Sequence, residues 1–339
     1  MNVLINGGGG FIGSRLARAL LERGQLGGRT IERLVLADQV APRAELTADR
    51  RVETRVGPLL GQCEALGKEG FDSVFHLASA VSGECEADFD LGLRSNLDTT
   101  RALLDALRAA TVRGGKPAKL VFSSSVAVFG PDPAKPLPDL VADDTLPAPK
   151  TSYGTHKLMC EYLIADYSRK GFIDGRSARL MTVTVRPGRP NGAASSFFSG
   201  IIREPLAGEE AICPVDATVS HPLTSVARTV EGLIAIHEAS VEQLGGRLAL
   251  NLPAVNATVG QMLEALEEVA GKAVRARVRF ERDETIAGIV GNWSRGCTAE
   301  RAARLGLRAD KDFATIIRQY IADCREAPGG SAALKGLSS

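Results

Sequence analysis

Several absences bound this chain of 339 residues before any motif is considered. It has no excess of charge, since 41 Lys and Arg stand against 40 Asp and Glu for a formal net charge of +1. No basic block breaks that balance, so the electrostatic footprint of a nucleic-acid binder or of a protein held on anionic lipid is missing. No apolar run approaches the ~18 residues needed to span a bilayer. The opening residues MNVLIN enter a strand-like segment without a charged leader or cleavage site, as expected of a cytoplasmic protein. There is no internal repeat of fixed period. The cysteines, Cys63, Cys85, Cys160, Cys213, Cys297 and Cys324, lie far apart. They form none of the close pairs used by zinc sites and redox dithiols, so they read as buried, reduced thiols, and no metal is expected.

The residues present, 44% of them hydrophobic, are enough for one large domain or two unequal ones. NVLIN has the length and composition of a buried strand, and FIGSRLARALLERG has apolar residues at helical spacing, stopping at Gly24. RLVLAD, ending at Asp38, completes a strand, helix, strand unit. Further strand-like runs follow at RVETRV, SVFHLA, KLVFSSS and LMTVTVRPG, alternating with helical NLDTTRALLDALRAA and YGTHKLMCEYLIADYSRKG. This alternation predicts an α/β fold: a Rossmann-type doubly wound parallel sheet, with ligands bound along the carboxyl edge of its strands. Beyond about Pro190 the pattern loosens into a smaller lobe. We therefore divide the chain into a nucleotide-binding and catalytic domain over 1–190, a mainly substrate-binding lobe over 191–325, and a small, Gly-rich flexible tail over 326–339. Some segments of the second lobe are free to return to the main sheet.

Four consecutive glycines are costly in chain entropy, yet GGGGFIG stands between the first strand and helix. The spacing is Gly7-x-x-Gly10-x-x-Gly13, and Gly8 also fits the related G-x-G-x-x-G frame. In such a turn the glycines permit the bend, let backbone approach a pyrophosphate and let helix pack on strand, while the helix N-terminus faces the phosphates. Asp38, ending the next strand, suits the adenosine ribose hydroxyls and repels a 2′-phosphate, which favours NAD over NADP. Arg43 weighs the other way, and Asp38 also reads as a plain solvated strand-ending carboxylate.

KLVFSSS carries Ser123, Ser124 and Ser125 at its carboxyl end, and TSYGTHK places Tyr153 and Lys157 one helical turn apart on one face. A tyrosine of pKa ~10 needs about three units of lowering, roughly 4 kcal/mol, to act as a base near neutrality. A lysine ammonium and an oxidised nicotinamide ring, each within several ångströms, contribute on the order of 2 to 4 kcal/mol apiece.

Together these features resemble the extended short-chain dehydrogenase/reductase superfamily, which includes the NAD-dependent epimerase/dehydratase family. The likeness covers essentially the whole chain: the glycine loop, HLA at 76–78, Asn96 in SNLDTT, the serine strand end and the Tyr/Lys pair fall in the family's order. It implies Tyr153 as acid/base, Lys157 holding the nicotinamide ribose and lowering the phenol pKa, and Ser125 aligning the reacting oxygen. It also implies a cofactor site of Gly7, Gly10, Phe11, Ile12, Gly13, Asp38, Leu77, Ala78, Asn96, Ser123, Tyr153, Lys157 and Pro187. Three longer runs, VSGECEADFDLGLRSNLDTTR, TSYGTHK and RPGRPNGAASSFFSGIIREPLAGEEAICPV, with the GQLGGRTIERLVLAD insertion, resemble the D-erythronate dehydrogenases. Those enzymes oxidise the C2 hydroxyl of a four-carbon sugar acid with NAD. The implied partners are a small sugar acid and a second copy of the chain, packed through the helices after Asn96 and around Tyr153.

The chain also departs from the superfamily pattern. Arg186-Pro187 leads to GRPNGAASS rather than to an aromatic-Gly-Pro segment, which disfavours a sugar-nucleotide enzyme. Asn6 replaces a frequent threonine. Pro58 follows Gly57 where an aspartate commonly recognises adenine, and proline offers neither a side-chain acceptor nor an N–H. Residues 217–225, ATVSHPLTS, differ from the bulkier segment expected and are read as bordering the substrate pocket. A carboxylate substrate calls for a cationic or multi-donor clamp. Ser82, Ser125, Tyr153, Asn191, Ser195 and Arg203 are the substrate candidates, although Arg203 reads equally as a surface arginine. His76 is read as a core histidine, His156 as solvated and Trp293 as core packing. Three functions stay open: dehydrogenase of a small hydroxy acid, nucleotide-sugar epimerase or dehydratase with tightly bound NAD, and nucleotide-sensing protein without turnover.

Overall fold

The computed structural model describes residues 1–188, 193–327 and 329–338. Strand β1 (Asn2–Asn6) leads through the glycine turn into α1 (Phe11–Arg23), which stops at Gly24 in a left-handed conformation, φ +66°. Then follow β2 (Arg33–Asp38), β3 (Val52–Val56), β4 (Ser73–His76), α2 (Thr99–Val112), β5 (Lys119–Ser125), α3 (Ser152–Arg169) and β6 (Asp174–Leu180). They pair in the order β6-β5-β4-β1-β2-β3, all parallel. The order reverses between β1 and β4, which opens a crevice beyond their carboxyl ends. Alternate strand residues serve opposite faces. Val3, Ile5, Leu34 and Leu36 join Leu16 and Leu20 of α1 on one face, while Leu4, Val35 and Ala37 meet Leu103, Leu104, Cys160 and Ile164 of α2 and α3 on the other.

The sixth strand corrects the sequence reading. DGRSARL forms β6, which takes in Leu180 of the expected LMTVTVRPG, and beyond it only Thr182–Val183 (β7) is strand. Two buried arginines disguise β6: Arg176 bonds the His237 carbonyl and Asp174, and Arg179 pairs with Glu161 on α3. Buried charge is tolerated where it is paired and hydrogen-bonded in this way.

Strand β7 pairs with β8 (Ser220–Thr224). The second lobe is built on α4 (Ser196–Ala207), but α5 (Val226–Glu238) and β9 (Leu250–Asn251) return to the first body. There α5 covers α1, and β9 pairs beside β6 as the seventh strand of the sheet. Strand β10 (Val255–Thr258) completes the three-stranded sheet with β7 and β8. Helices α6 (Val259–Ala270) and α7 (Phe313–Glu326) close a second core with α4, around Phe198, Ile202, Met262, Leu266 and Ile317. The chain thus crosses between the two bodies more than once after residue 190.

The tail is docked rather than loose. Gly330–Ser338 forms a 3-10 helix against α4 and α7, with Leu334 buried. Its glycines permit the contact, because a Cβ at Gly336 would lie 2.3 Å from the Pro205 oxygen and one at Gly330 would lie 1.8 Å from that of Cys324. All six cysteines are free and buried, as expected. Among the described residues no helix is long and apolar enough to cross a membrane, and no cluster of ligating side chains could hold a metal.

Candidate active site

The glycines behind β1 divide by what surrounds them. A Cβ at Gly7 (φ +88°) would stand 2.7 Å from the Ala78 nitrogen, and one at Gly13 would stand 2.0 Å from the Gly7 oxygen. These two positions are small because the protein packs on itself there. At Gly10 the nearest atom would be that same oxygen at 3.3 Å, and α1 starts without a side-chain cap. The outer surface of the loop is therefore bare backbone at a helix N-terminus, the arrangement that accepts phosphate. Phe11 and Ile12, just inside α1, pack into the core. Asn6, fully buried at the end of β1, has neither side-chain polar atom hydrogen-bonded. Its backbone oxygen accepts from Leu77 and Ala78, which sets the loop after β4 over the glycines. An orphaned amide under a bare glycine turn fits the pyrophosphate of a dinucleotide.

Asp38 holds the loop as well as facing it. Its two oxygens accept from the N–H of Gly9 at 2.9 Å and of Val40 at 3.1 Å. A carboxylate has about four lone-pair sites, so acceptors remain for ribose hydroxyls. Asn96 lies in a π-helical turn, Leu93–Asp98, and its amide is spent on the loop beyond β4. It accepts from Ala80 N–H and Ser79 and donates to the Ala80 carbonyl and the Cys85 sulfur. Its observed contacts therefore set the shape of the loop around Leu77 and Ala78.

Thr151 caps α3 by accepting from Gly154 N–H at 3.0 Å. A Cβ at Gly154 would lie 2.1 Å from the Ala127 oxygen, so only glycine lets this helix close on the turn that follows Ser125. Closure brings the half-buried Tyr153 to the Ser125 hydroxyl, which is positioned to donate to the phenol oxygen. Lys157 is buried one turn on; its Nζ donates to the Ser123 carbonyl at 2.7 Å and lies 4.7 Å from the Phe122 ring centroid and 5.5 Å from that of Tyr153. Two further N–H groups of the ammonium remain for a ribose. Burial pulls Lys157 down to about 8, against the opposing pull of Cys160, Cys85 and Glu161. Burial pushes the Tyr153 phenol above its ordinary value, while Ser125 and the charge of Arg186 pull it down. The sequence reading gave that lowering to Lys157 and the nicotinamide; the charge of Arg186 acts on the phenol in the same direction.

A second network supports α3 from below. Glu161, one turn beyond Lys157, accepts two bonds from Arg179 at 2.9 and 2.8 Å and a short one from Ser124. The Arg179 guanidinium lies 4.9 Å from the Phe129 ring centroid. Sequence reasoning passed over Glu161, although the ladder Tyr153, Lys157, Glu161 at four-residue spacing puts it on the catalytic face.

The substrate candidates separate. Arg186 donates to the Ser195 hydroxyl at 2.9 Å and to the Val183 carbonyl at 3.1 Å. Arg203 is buried, which excludes the surface-arginine reading; it donates to the Arg186 carbonyl at 2.8 Å and pairs with Glu204. It supports Arg186 from behind. Ser82 opens a short helix, Ser82–Ala87, packed on α3. Pro187 is exposed, and Asn191 lies outside the described residues. The stretch 217–225 runs into β8, where His221 is buried between Phe198 and Trp293. His76 is a core histidine, bonded to Thr100 at 3.0 Å and pulled down to about 3 by burial. Ser123 donates to the His76 carbonyl at 3.3 Å. His156 corrects its reading: it is buried, with Phe89 at 6.3 Å and Gly92 close enough that a Cβ there would lie 3.0 Å from the ring. The short helix Phe89–Gly92 covers a face of α3 that periodicity alone leaves open.

Comparison with known proteins agrees with this geometry. The family model for the NAD dependent epimerase/dehydratase family matches residues 3–251. A D-erythronate dehydrogenase of Cupriavidus necator is 47% identical, over 95% of this chain and 98% of its own. One from Haemophilus influenzae is 41% identical, over 95% and 99%. A crystal structure described as the nucleoside-diphosphate-sugar epimerase of Agrobacterium tumefaciens superposes with a TM-score of 0.91 at 43% identity, covering 98% of this chain and 96% of that one.

Proposed function

The chain belongs to the NAD dependent epimerase/dehydratase family, and within it we propose that this protein oxidises the C2 hydroxyl of a small sugar acid, D-erythronate to 2-oxo-erythronate, with NAD as oxidant and Tyr153 as general base. The observation that carries the reading is the junction of Ser125, Tyr153 and Lys157 at the carboxyl end of β5, with a bare glycine turn at the carboxyl end of β1 in the same parallel sheet. The names of the erythronate dehydrogenases support dehydrogenase chemistry of the extended short-chain type and a sugar-acid substrate.

NAD, when bound, supplies the hydride acceptor. The Gly7 to Gly13 turn receives its pyrophosphate, Asp38 its adenosine ribose, and the spare N–H groups of Lys157 its second ribose. Ser125 holds the substrate hydroxyl, and Tyr153 removes its proton as the carbinol carbon is oxidised. Positive charge from Lys157 and Arg186 offsets the burial that otherwise keeps the phenol protonated.

A second reading, a nucleotide-sugar epimerase or dehydratase that retains NAD, draws support from the description of the Agrobacterium structure. Net NADH release separates the two, because an epimerase returns the hydride to its substrate. A screen of NAD reduction over four-carbon sugar acids, with sugar nucleotides as controls, tests the proposal. NADH accumulation with a sugar acid alone supports it; turnover of a sugar nucleotide without net NADH overturns it. The exposed Phe89, Met159 and Tyr162 along and beside α3 support a homodimer through that face, and six unpaired buried thiols suit the cytoplasm.

A further inference from the structure

We propose that Arg186 is the receptor for the substrate carboxylate, and that the substrates it selects are acids with the hydroxyl on the carbon next to that carboxylate. This inference rests on the sugar-acid reading above and gives it a named residue and a substrate class, the 2-hydroxy acids.

The position of Arg186 is fixed at both ends. Its own N–H donates to the Ser199 hydroxyl at 3.0 Å and its carbonyl accepts from Arg203, while the guanidinium is steered by Val183 and Ser195. Yet among the described residues no carboxylate lies within ion-pair distance of it. Its buried neighbours differ, since Arg203 has Glu204 and Arg179 has Glu161. The Nη1 of Arg186 makes no hydrogen bond among the described residues and is not sealed from solvent. Of the titratable groups acting on this guanidinium, Tyr153 favours its charge and Arg203 opposes it. A half-buried cation without an acid, pressed by a second cation, is relieved by a bound anion, and a guanidinium fork matches a carboxylate. Ser195, which accepts from Arg186, keeps its own O–H to donate to the same anion.

The bond spacing of the substrate then sets the class. In a 2-hydroxy acid the hydroxyl and carboxyl carbons are bonded to each other, so a hydroxyl held by Ser125 and Tyr153 brings the carboxylate towards a cation whose charge acts on the same phenol. An acid with its hydroxyl further along the chain separates the two groups. A nucleotide sugar offers no carboxylate at that position.

The test compares wild-type protein with Arg186→Met and Arg186→Lys, using a four-carbon 2-hydroxy acid and its primary amide, and records NAD affinity by fluorescence in parallel. Arg186→Met is expected to raise KM for the acid by about 10- to 100-fold, keep its NAD affinity and lose the preference for acid over amide, with Arg186→Lys in between. A merely structural arginine would change thermal stability but leave that preference intact. If both variants bind NAD and keep the wild-type KM and preference, the inference is overturned while the dehydrogenase reading stands. If Arg186→Met does not fold, Arg186→Lys decides, since an unchanged KM for the acid counts against the inference. If the wild-type protein oxidises no 2-hydroxy acid, the function itself is wrong and this assignment falls with it.

Discussion

The two arginine centres that follow β5 in the chain, Arg179 and Arg186, have opposite designs. Below the catalytic helix, Arg179, Glu161 and Ser124 form a buried network in which the charge is matched. In the crevice, Arg186 is held as firmly but has no acid beside it among the described residues. A matched buried charge belongs to the scaffold, whereas a held but unmatched one invites a ligand. The same contrast divides the glycines, since a Cβ at Gly7 or Gly13 would collide with the protein's own backbone, whereas one at Gly10 would only come to 3.3 Å from the Gly7 oxygen.

The largest expected effect lies on the reactive side. Tyr153→Phe should lower kcat by about 100- to 10,000-fold while NAD affinity, followed by fluorescence, stays near wild type; unchanged turnover would remove the proposed base. On the scaffold side, Glu161→Gln leaves Arg179 buried without its counter-charge. It should cost about 3 kcal/mol of stability, measured by urea unfolding. If Arg186→Met proved equally destabilising in the same measurement, the distinction between matched scaffold and unmatched site would fail.

Acid sharpens the comparison further. His76 and His237 are pulled down to about 3 and His221 to about 4, each chiefly by burial, from an ordinary 6.5. The unfolded chain binds protons below pH 6.5 that the folded one refuses until about pH 4 to 3. Stability should therefore fall with acid across that window, by about 1.4 kcal/mol per pH unit for each histidine where the states differ fully. His237→Gln should flatten the slope of urea-unfolding free energy against pH, and an unchanged slope would show that His237 is not held neutral. The smallest change distinguishes the glycines. Gly10→Ala should weaken NAD binding with little loss of melting temperature, whereas Gly13→Ala, with a Cβ 2.0 Å from a carbonyl, should lower the melting temperature itself.

The features legible in the sequence were those set by local spacing. The glycine turn, Asp38 at a strand end and Tyr153 with Lys157 on one helical face need only a short window, and the structure sets the first two at the carboxyl ends of β1 and β2 and the pair in the first turns of α3. Pairing over long range was not legible. Strand β6 was missed because its arginines look like solvent-facing residues until Glu161 and the His237 carbonyl stand opposite them. His156 looked exposed because its cover, Phe89–Gly92, lies far back in the chain. Arg203 stood among the substrate candidates and Arg186 did not, and no window of sequence says which of two arginines already has a partner.

Asp38 carries a practical consequence for redesign. Its carboxylate, the proposed contact to the adenosine ribose, also anchors the glycine turn through Gly9 and Val40. An engineer who swaps it for alanine to admit the other pyridine nucleotide would therefore release the backbone that must greet either one. Asparagine keeps an acceptor for one of the two bonds of that tether while shedding the negative charge, which makes it the first exchange to build.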